Sequence, residues 1–200
     1  MKILIIGGTG LIRRAVVSEL GDRHEVLTAS RNSGNFNVDI TSTDSIKAMF
    51  DRAGSIDAII STTGQVEFVS FEEMQPENYQ LGLDSKLMGQ VNLVLIGRDY
   101  LNDAGSFTLT TGILNVDPIA TGSSAAMVNA GVEGFVKSAA IDMPKGFRIN
   151  AVSPTVVLEA MDKYAPYFRG YEPVPVAKAA LAYSKSVEAH QTGQVIRSGY

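Results

Sequence analysis

The chain opens with an apolar run that leads into glycines: Lys2–Ile6 reads KILII, and residues 7–13 read GGTGLIR. A continuous apolar run of this length is typical of a strand buried on both faces of a sheet. Glycines let the backbone turn tightly after such a strand, and the following helix presents free N–H groups and the positive end of its dipole. This opening favours a strand–turn–helix unit that can bind the pyrophosphate of a dinucleotide.

The rest of the chain alternates between short apolar runs and amphipathic stretches. Further strands are predicted at residues 25–29, 36–40, 56–61, 106–110, 147–152 and 194–197, and the main helices at residues 11–20, 77–101, 123–141 and 176–186. Such alternation predicts right-handed βαβ units. We therefore expect one α/β domain over residues 1–200, a doubly wound parallel sheet of about seven strands with helices on both faces.

The composition excludes several classes of function. The 200 residues carry 17 Lys and Arg against 21 Asp and Glu, a net charge of −4, which argues against a nucleic-acid partner. With no Cys and only two His, the chain lacks the usual ligands of a transition metal, so no metal site is expected. Its apolar runs are too short to cross a bilayer and its start is unlike a signal peptide, so we expect a cytoplasmic protein without a membrane partner.

Several motifs in order resemble the short-chain dehydrogenase/reductase family, and the likeness runs from Met1 to Gly199. Residues 7–13 resemble its cofactor loop, residues 61–64 (STTG) the turn after its fourth strand, and residues 148–154 (RINAVSP) and 192–195 (TGQV) its last two strands. The resemblance implies a Rossmann-like fold that binds a nicotinamide dinucleotide. The cofactor contacts it implies are Gly7, Thr9, Gly10, Leu11, Ile12, Asp39, Ile40, Ser61, Thr62, Thr63, Gly64, Asn129, Pro154 and Val157.

The end of the second strand bears on the choice of cofactor. An NAD site usually places a carboxylate about 20 residues past the glycines, but no acid lies between Val26 and Val38. The guanidinium of Arg31 can instead hold a 2′-phosphate through two parallel hydrogen bonds. NADP is therefore predicted in preference to NAD. The alternative is that Arg31 is an ordinary solvated turn residue.

The residues that the family uses for proton transfer are absent. Family members carry a Tyr and, four residues later, a Lys; the register fixed by residues 133–135 (EGF) places Ala125 and Asn129 there. The remaining catalytic candidate is Thr111, which either bonds a substrate carbonyl or satisfies its own backbone. A second possible source of a hydroxyl is the loop after the sixth strand, which contains Tyr164, Tyr167 and Tyr171. Either this loop folds over the site and one Tyr supplies a phenol, or the aromatic side chains only pack against one another as a small separate cluster.

Three charged residues also depart from the family pattern. Arg13 replaces the third glycine of the cofactor loop, where it either clamps a phosphate or obstructs the pyrophosphate path. Glu159 is expected to repel the cofactor phosphates. Lys86, near the position of a further family Asn, is predicted to be a solvated helix charge.

Two functions remain. The first is an NADP(H)-dependent oxidoreductase for a small carbonyl or alcohol, with an atypical or missing proton donor. The second is a catalytically inactive dinucleotide-binding protein with a sensor or regulatory role. The resemblance implies a homodimer or homotetramer paired through the two long helices.

Overall fold

The computed structural model describes residues 1–200 and contains one parallel sheet of seven strands. The strands are β1 (Lys2–Ile6), β2 (Glu25–Ser30), β3 (Phe36–Asn37), β4 (Ile56–Ser61), β5 (Leu101–Thr110), β6 (Arg148–Pro154) and β7 (Val195–Ser198). Their order across the sheet is β3-β2-β1-β4-β5-β6-β7, so the direction of winding reverses between β1 and β4. This confirms the predicted doubly wound α/β fold.

Helices cover both faces of the sheet. Side chains of β1 alternate between the two cores: Ile3 and Ile5 pack under the helices Leu11–Gly21 and Val176–Glu188, whereas Leu4 and Ile6 pack under the helices Thr43–Ala53, Gly89–Gly97 and Ser123–Asp142. No helix is both long enough and apolar enough to span a bilayer. The helices are α1 (Leu11–Gly21), α2 (Thr43–Ala53), α3 (Pro76–Gly82), α4 (Gly89–Gly97), α5 (Ser123–Asp142), α6 (Met161–Tyr164) and α7 (Val176–Glu188).

The long helix predicted over residues 77–101 is not one α-helix. A π-helical turn, Leu83–Met88, separates α3 from α4, and α4 ends at Gly97. The prediction is wrong in its detail because hydrophobic periodicity indicates a helical stretch but does not distinguish π-helical from α-helical turns. The third strand is also shorter than predicted, since the chain turns at Asp39, whose carboxylate accepts from the amide and hydroxyl of Thr41.

The register of the central strands places their ends at one edge. Ile6, the last residue of β1, pairs with Ala29 on β2 and with Ser61 on β4. The turns that follow β1, β2 and β4 therefore meet where the strand order reverses. In a sheet of this kind, ligands bind in the crevice at that point.

Candidate functional site

A cleft of about 690 Å³ lies at the carboxyl ends of β1, β2 and β4. Its volume falls in the range of small-molecule sites. The turn after β1, the end of β2 and the turn after β4 form its walls, and the loop after β6 contributes Val157 and Tyr164. Of the predicted cofactor contacts, the cleft is lined by Gly7, Gly10, Leu11, Ile12, Arg31, Ile40, Thr62, Thr63, Gly64 and Val157.

The glycines of the first turn serve different purposes. A Cβ on Gly7 would lie 2.1 Å from the Thr62 hydroxyl, so only glycine lets the turns after β1 and β4 come together. A Cβ on Gly8 or Gly10 would meet nothing within 4 Å. These two glycines therefore leave open space in front of the helix that follows.

The N-terminus of α1 is an unfilled anion site. Gly10 is its N-cap and provides no side-chain cap, and the first turn contains no acidic residue. The backbone amides of residues 8–13 donate to no protein acceptor. Because α1 leaves these N–H groups free at its positive end, the protein presents a row of donors that suits a phosphate group.

Arg13 forms part of the cleft wall. Its Nη1 donates to the Gly7 carbonyl at 3.3 Å, while its Nε is buried without a partner. A buried donor without an acceptor is unfavourable by about 1–3 kcal/mol. An anion in the cleft can supply the missing acceptor, which fits the clamping alternative.

Arg31 lies at the outer end of the cleft and pairs with Asp39. The Arg31 side chain is 59% exposed, and its Nη2 lies 3.5 Å from Asp39 Oδ1. The backbone amide and hydroxyl of Thr41, and then the Arg31 guanidinium, hold the pKa of Asp39 below its usual range. Asp39 is therefore a carboxylate, and the exposed guanidinium stays accessible to a ligand.

Five predicted cofactor contacts do not line the cleft: Asn129 and Pro154 line a neighbouring space described below, and the other three line neither space, each for a physical reason. Thr9 is exposed at the tip of the glycine turn. The Asp39 carboxylate is turned towards Thr41 and Arg31. Ser61 is fully buried, and its hydroxyl lies 2.7 Å from that of Thr63, so it supports the cleft wall without forming it.

A second space of about 200 Å³, called here the inner cavity, adjoins the cleft. Ile12, Val157 and Tyr164 line both spaces, so these three residues form the boundary between them. Most of the inner-cavity lining is apolar. Its polar and small residues are Lys86, Thr111, Gly112, Ala125, Asn129, Pro154 and Thr155.

Ala125 and Asn129, the residues predicted to stand at the family's proton-transfer positions, both line the inner cavity. Ala125 is buried and offers only a methyl group there. Asn129 donates from Nδ2 to the Gly112 carbonyl at 3.2 Å, and its Oδ1 is buried without a partner. The Thr111 hydroxyl has only long contacts, 3.4 Å to Glu133 Oε1 and to the Val152 carbonyl. Asn129 and Thr111 can hydrogen-bond a ligand, but none of these three side chains is an acid near neutral pH.

Lys86 corrects a prediction from the sequence. Its side chain is half-buried and lines the inner cavity, and the burial lowers its pKa to about 8. No carboxylate pairs with it. The pattern of α3 and α4 gave no sign of this because Lys86 lies on the π turn, which changes where its side chain points.

Of the predicted residues in the loop after β6, some line the cleft and others make hydrogen bonds away from it. Tyr164 lines both spaces, whereas the Tyr171 hydroxyl bonds the carbonyls of Asp117 and Pro118, both at 3.1 Å. Tyr167 is half exposed. The Glu159 carboxylate accepts from the Val176 amide at the start of α7, at 2.9 and 3.1 Å. Glu159 is absent from the cleft lining, so the expected repulsion of cofactor phosphates has no basis.

The strand order and the cleft at its reversal point define a Rossmann-type domain. A family model described as enoyl-(acyl carrier protein) reductase matches residues 13–196. The chain belongs to the short-chain dehydrogenase/reductase family.

Solved structures agree over almost the whole chain. The crystal structure of the protein lin1944 from Listeria innocua is 53% identical, with a TM-score of 0.97 and 98% of both chains covered. A small-chain dehydrogenase crystallised in complex with NADPH is 27% identical, with a TM-score of 0.87, and the match covers 98% of this chain and 95% of the other.

Curated relatives are more distant and longer. A cis-4-hydroxycyclohexanecarboxylate dehydrogenase of Sinomonas cyclohexanicum is 28% identical over 163 residues, 72% of this chain and 64% of its own length. A hydroxynaphthalene reductase-like protein of Metarhizium brunneum is 24% identical over 179 residues, 76% of this chain and 67% of its own length.

Proposed function

We propose that this chain is an NADP(H)-dependent oxidoreductase that acts on a small carbonyl or alcohol. The observation that carries the proposal is the uncapped N-terminus of α1, whose free backbone amides lie in the cleft wall together with Arg13. The 27% identical small-chain dehydrogenase in complex with NADPH supports the choice of cofactor.

The residues of the cleft fit each part of the dinucleotide. The amides of residues 8–13 and Arg13 would hold the pyrophosphate, and Arg31 the 2′-phosphate. Ile40 offers an apolar wall for the adenine. Asn129 lines the inner cavity and would hold a ribose hydroxyl through its carboxamide. When bound, the reduced cofactor supplies a hydride to the substrate carbon.

The inner cavity limits the substrate to a small molecule with apolar surface. Its volume is about 200 Å³, and 11 of its 17 lining residues are hydrophobic, so an extended polar substrate does not fit. Thr111 and Lys86 are the polar groups that can contact a carbonyl or hydroxyl oxygen. No carboxylate lines the cavity, so nothing there repels electron-rich oxygen atoms.

A second function, binding of NADP(H) without turnover, is favoured by one specific observation. Ala125 and Asn129, which the sequence register predicts at the positions of the family's Tyr and Lys, both line the inner cavity, and neither side chain can release a proton near neutral pH. In this case the dinucleotide would act on the shape of the protein or on its partners.

The two functions separate in one experiment. NADPH oxidation is followed spectroscopically with a panel of small aldehydes and ketones, alongside direct measurement of NADPH binding. Carbonyl-dependent oxidation supports the oxidoreductase, and binding without oxidation supports the second function. The matched control is Gly10→Asp, which places a carboxylate at the anion site in open space; it is expected to abolish both signals.

A further inference from the structure

The inner cavity contains two titratable side chains, Lys86 and Tyr164. The rest of its lining is apolar or carries hydroxyl, amide or backbone groups. A threonine hydroxyl and a carboxamide do not release protons near neutral pH. Lys86 and Tyr164 are therefore the only lining residues whose side chains can donate a proton to a ligand in this cavity.

The stem of Lys86 is held by the turn that follows β4. A Cβ on Gly64 would lie 2.6 Å from Lys86 Cγ and 2.7 Å from both its Cα and its Cβ. Gly64 also has a φ of 117°, a conformation that favours glycine. The turn after β4 thus lies directly against Lys86, and the residue at position 64 must be glycine for this contact to form.

A buried glutamine fixes the backbone of Lys86 relative to β5. Gln90 is fully buried, and its Nε2 donates to the carbonyls of Lys86 and Thr110, both at 2.9 Å. Its Oε1 accepts from the Thr110 amide at 2.8 Å. Because Thr111 follows Thr110, this bridge brings Lys86 and Thr111 to the same cavity from two rigid elements.

The charge of Lys86 has no partner in the surrounding elements. Three nearby carboxylates each accept a hydrogen bond from another residue. On the π turn itself, Asp84 accepts from Gln80, and on α5, Glu133 accepts from the Thr111 hydroxyl. In the loop after β4, Glu67 accepts from Asn78. Tyr164 faces the cavity from the loop after β6. Desolvation without a counter-charge lowers the pKa of Lys86 to about 8, close to the operating pH, as efficient proton transfer requires.

We infer that Lys86 is the proton donor in carbonyl reduction, a role that rests on the proposed function. As the carbonyl carbon gains the electron pair that the reduced dinucleotide supplies as hydride, the substrate oxygen takes a proton from Lys86 Nζ. An N–H bond breaks and an O–H bond forms, which leaves the alcohol, the oxidised dinucleotide and a neutral amine. Water entering through the open cleft returns the proton to the amine.

The protonation of Lys86 is measured first, without cofactor or substrate. The lysine side-chain NMR signals of the full chain are titrated from pH 6 to 11, and Lys86→Met identifies the Lys86 signal. One amine is expected to titrate about two pH units below the other lysines, which titrate near 10.4. If the pKa of Lys86 is the same as that of the other lysines, the proposal is overturned.

Turnover is measured next, with NADPH binding recorded for each variant. Lys86→Met, and Lys86→Arg, which keeps the charge but releases no proton near neutrality, are expected to lower kcat for reduction by about 100-fold or more with little change in NADPH affinity. Lys163→Met, an exposed lysine beside Tyr164, is the control and should retain full activity.

The pH profile separates a proton donor from a structural residue. In the unmodified chain, kcat/KM for reduction should fall about tenfold per pH unit above pH 8, and Lys86→Met should lose this decline. Retained turnover in both Lys86 variants, or loss of turnover in Tyr164→Phe alone, overturns the role of Lys86 and leaves the proposed function standing. Absence of turnover in the unmodified chain with every carbonyl overturns both.

Discussion

Arg31 and Asp39 form an ion pair at the edge of the cleft, with Nη2 3.5 Å from Oδ1. The pair is largely exposed, so it stabilises the fold little. The pair instead affects ligand binding, because the Arg31 guanidinium that is proposed to bind a 2′-phosphate already lies beside a carboxylate.

Arg31→Ala is predicted to weaken NADPH binding by about 10- to 100-fold, because charge-assisted hydrogen bonds to the 2′-phosphate are lost. NADH lacks that phosphate, and its affinity should not change. Both affinities are read by calorimetric titration, with Arg98→Ala, at the far end of α4, as the control. Unchanged NADPH affinity would make Arg31 an ordinary turn residue.

Asp39→Asn should strengthen NADPH binding by about three- to fivefold, since it removes a negative charge close to the proposed phosphate position. The affinity for NADH should stay the same. The measurement is the ratio of the two dissociation constants at low ionic strength. A weaker affinity for NADPH would mean that Asp39 holds Arg31 in its binding position.

Arg13→Ala should weaken NADPH and NADH alike, by about tenfold, because both cofactors carry the pyrophosphate that would satisfy the buried Nε. The same titrations distinguish this pattern from that of Arg31. Tighter binding of either cofactor would instead show that Arg13 obstructs the pyrophosphate path.

Asp57 gives a pH dependence of stability. Its carboxylate accepts from Asn102 Nδ2 at 2.7 Å and from the Lys2 amide at 2.6 Å, and these hydrogen bonds hold its pKa below the usual range. The stabilisation is fully present above the unfolded pKa of about 3.9 and is lost as pH falls through the lower folded pKa.

Asp57→Asn should therefore reduce the free energy of unfolding by about 1–2 kcal/mol at pH 7, with the difference shrinking below about pH 4. Urea denaturation at pH 7 and pH 3 provides the comparison. Asp103→Asn, an exposed neighbour, is the control. An equal loss at both pH values would assign the effect to packing.

The sequence predicts those features that have local signatures. The apolar run Lys2–Ile6 and the glycines after it fix β1, α1 and the edge at which ligands bind, because burial and tight turns depend on neighbouring residues. The helix signal over residues 77–101 is also local, but it does not reveal the π turn. Lys86 reaches the inner cavity through that turn and through contacts with Gly64 and Gln90, which are 22 and 4 residues away.

Binding at the glycine turn is the central claim, and calorimetric titration of the full chain with NADPH tests it most directly. We predict saturable binding that is tighter for NADPH than for NADH. Gly10→Asp should abolish it while folding as well as the unmodified chain, because Gly10 has φ −64° and ψ 163°, free space for a side chain, and an N-cap position where aspartate is favourable. Absence of binding by the unmodified chain, or undiminished binding by Gly10→Asp, would contradict the account.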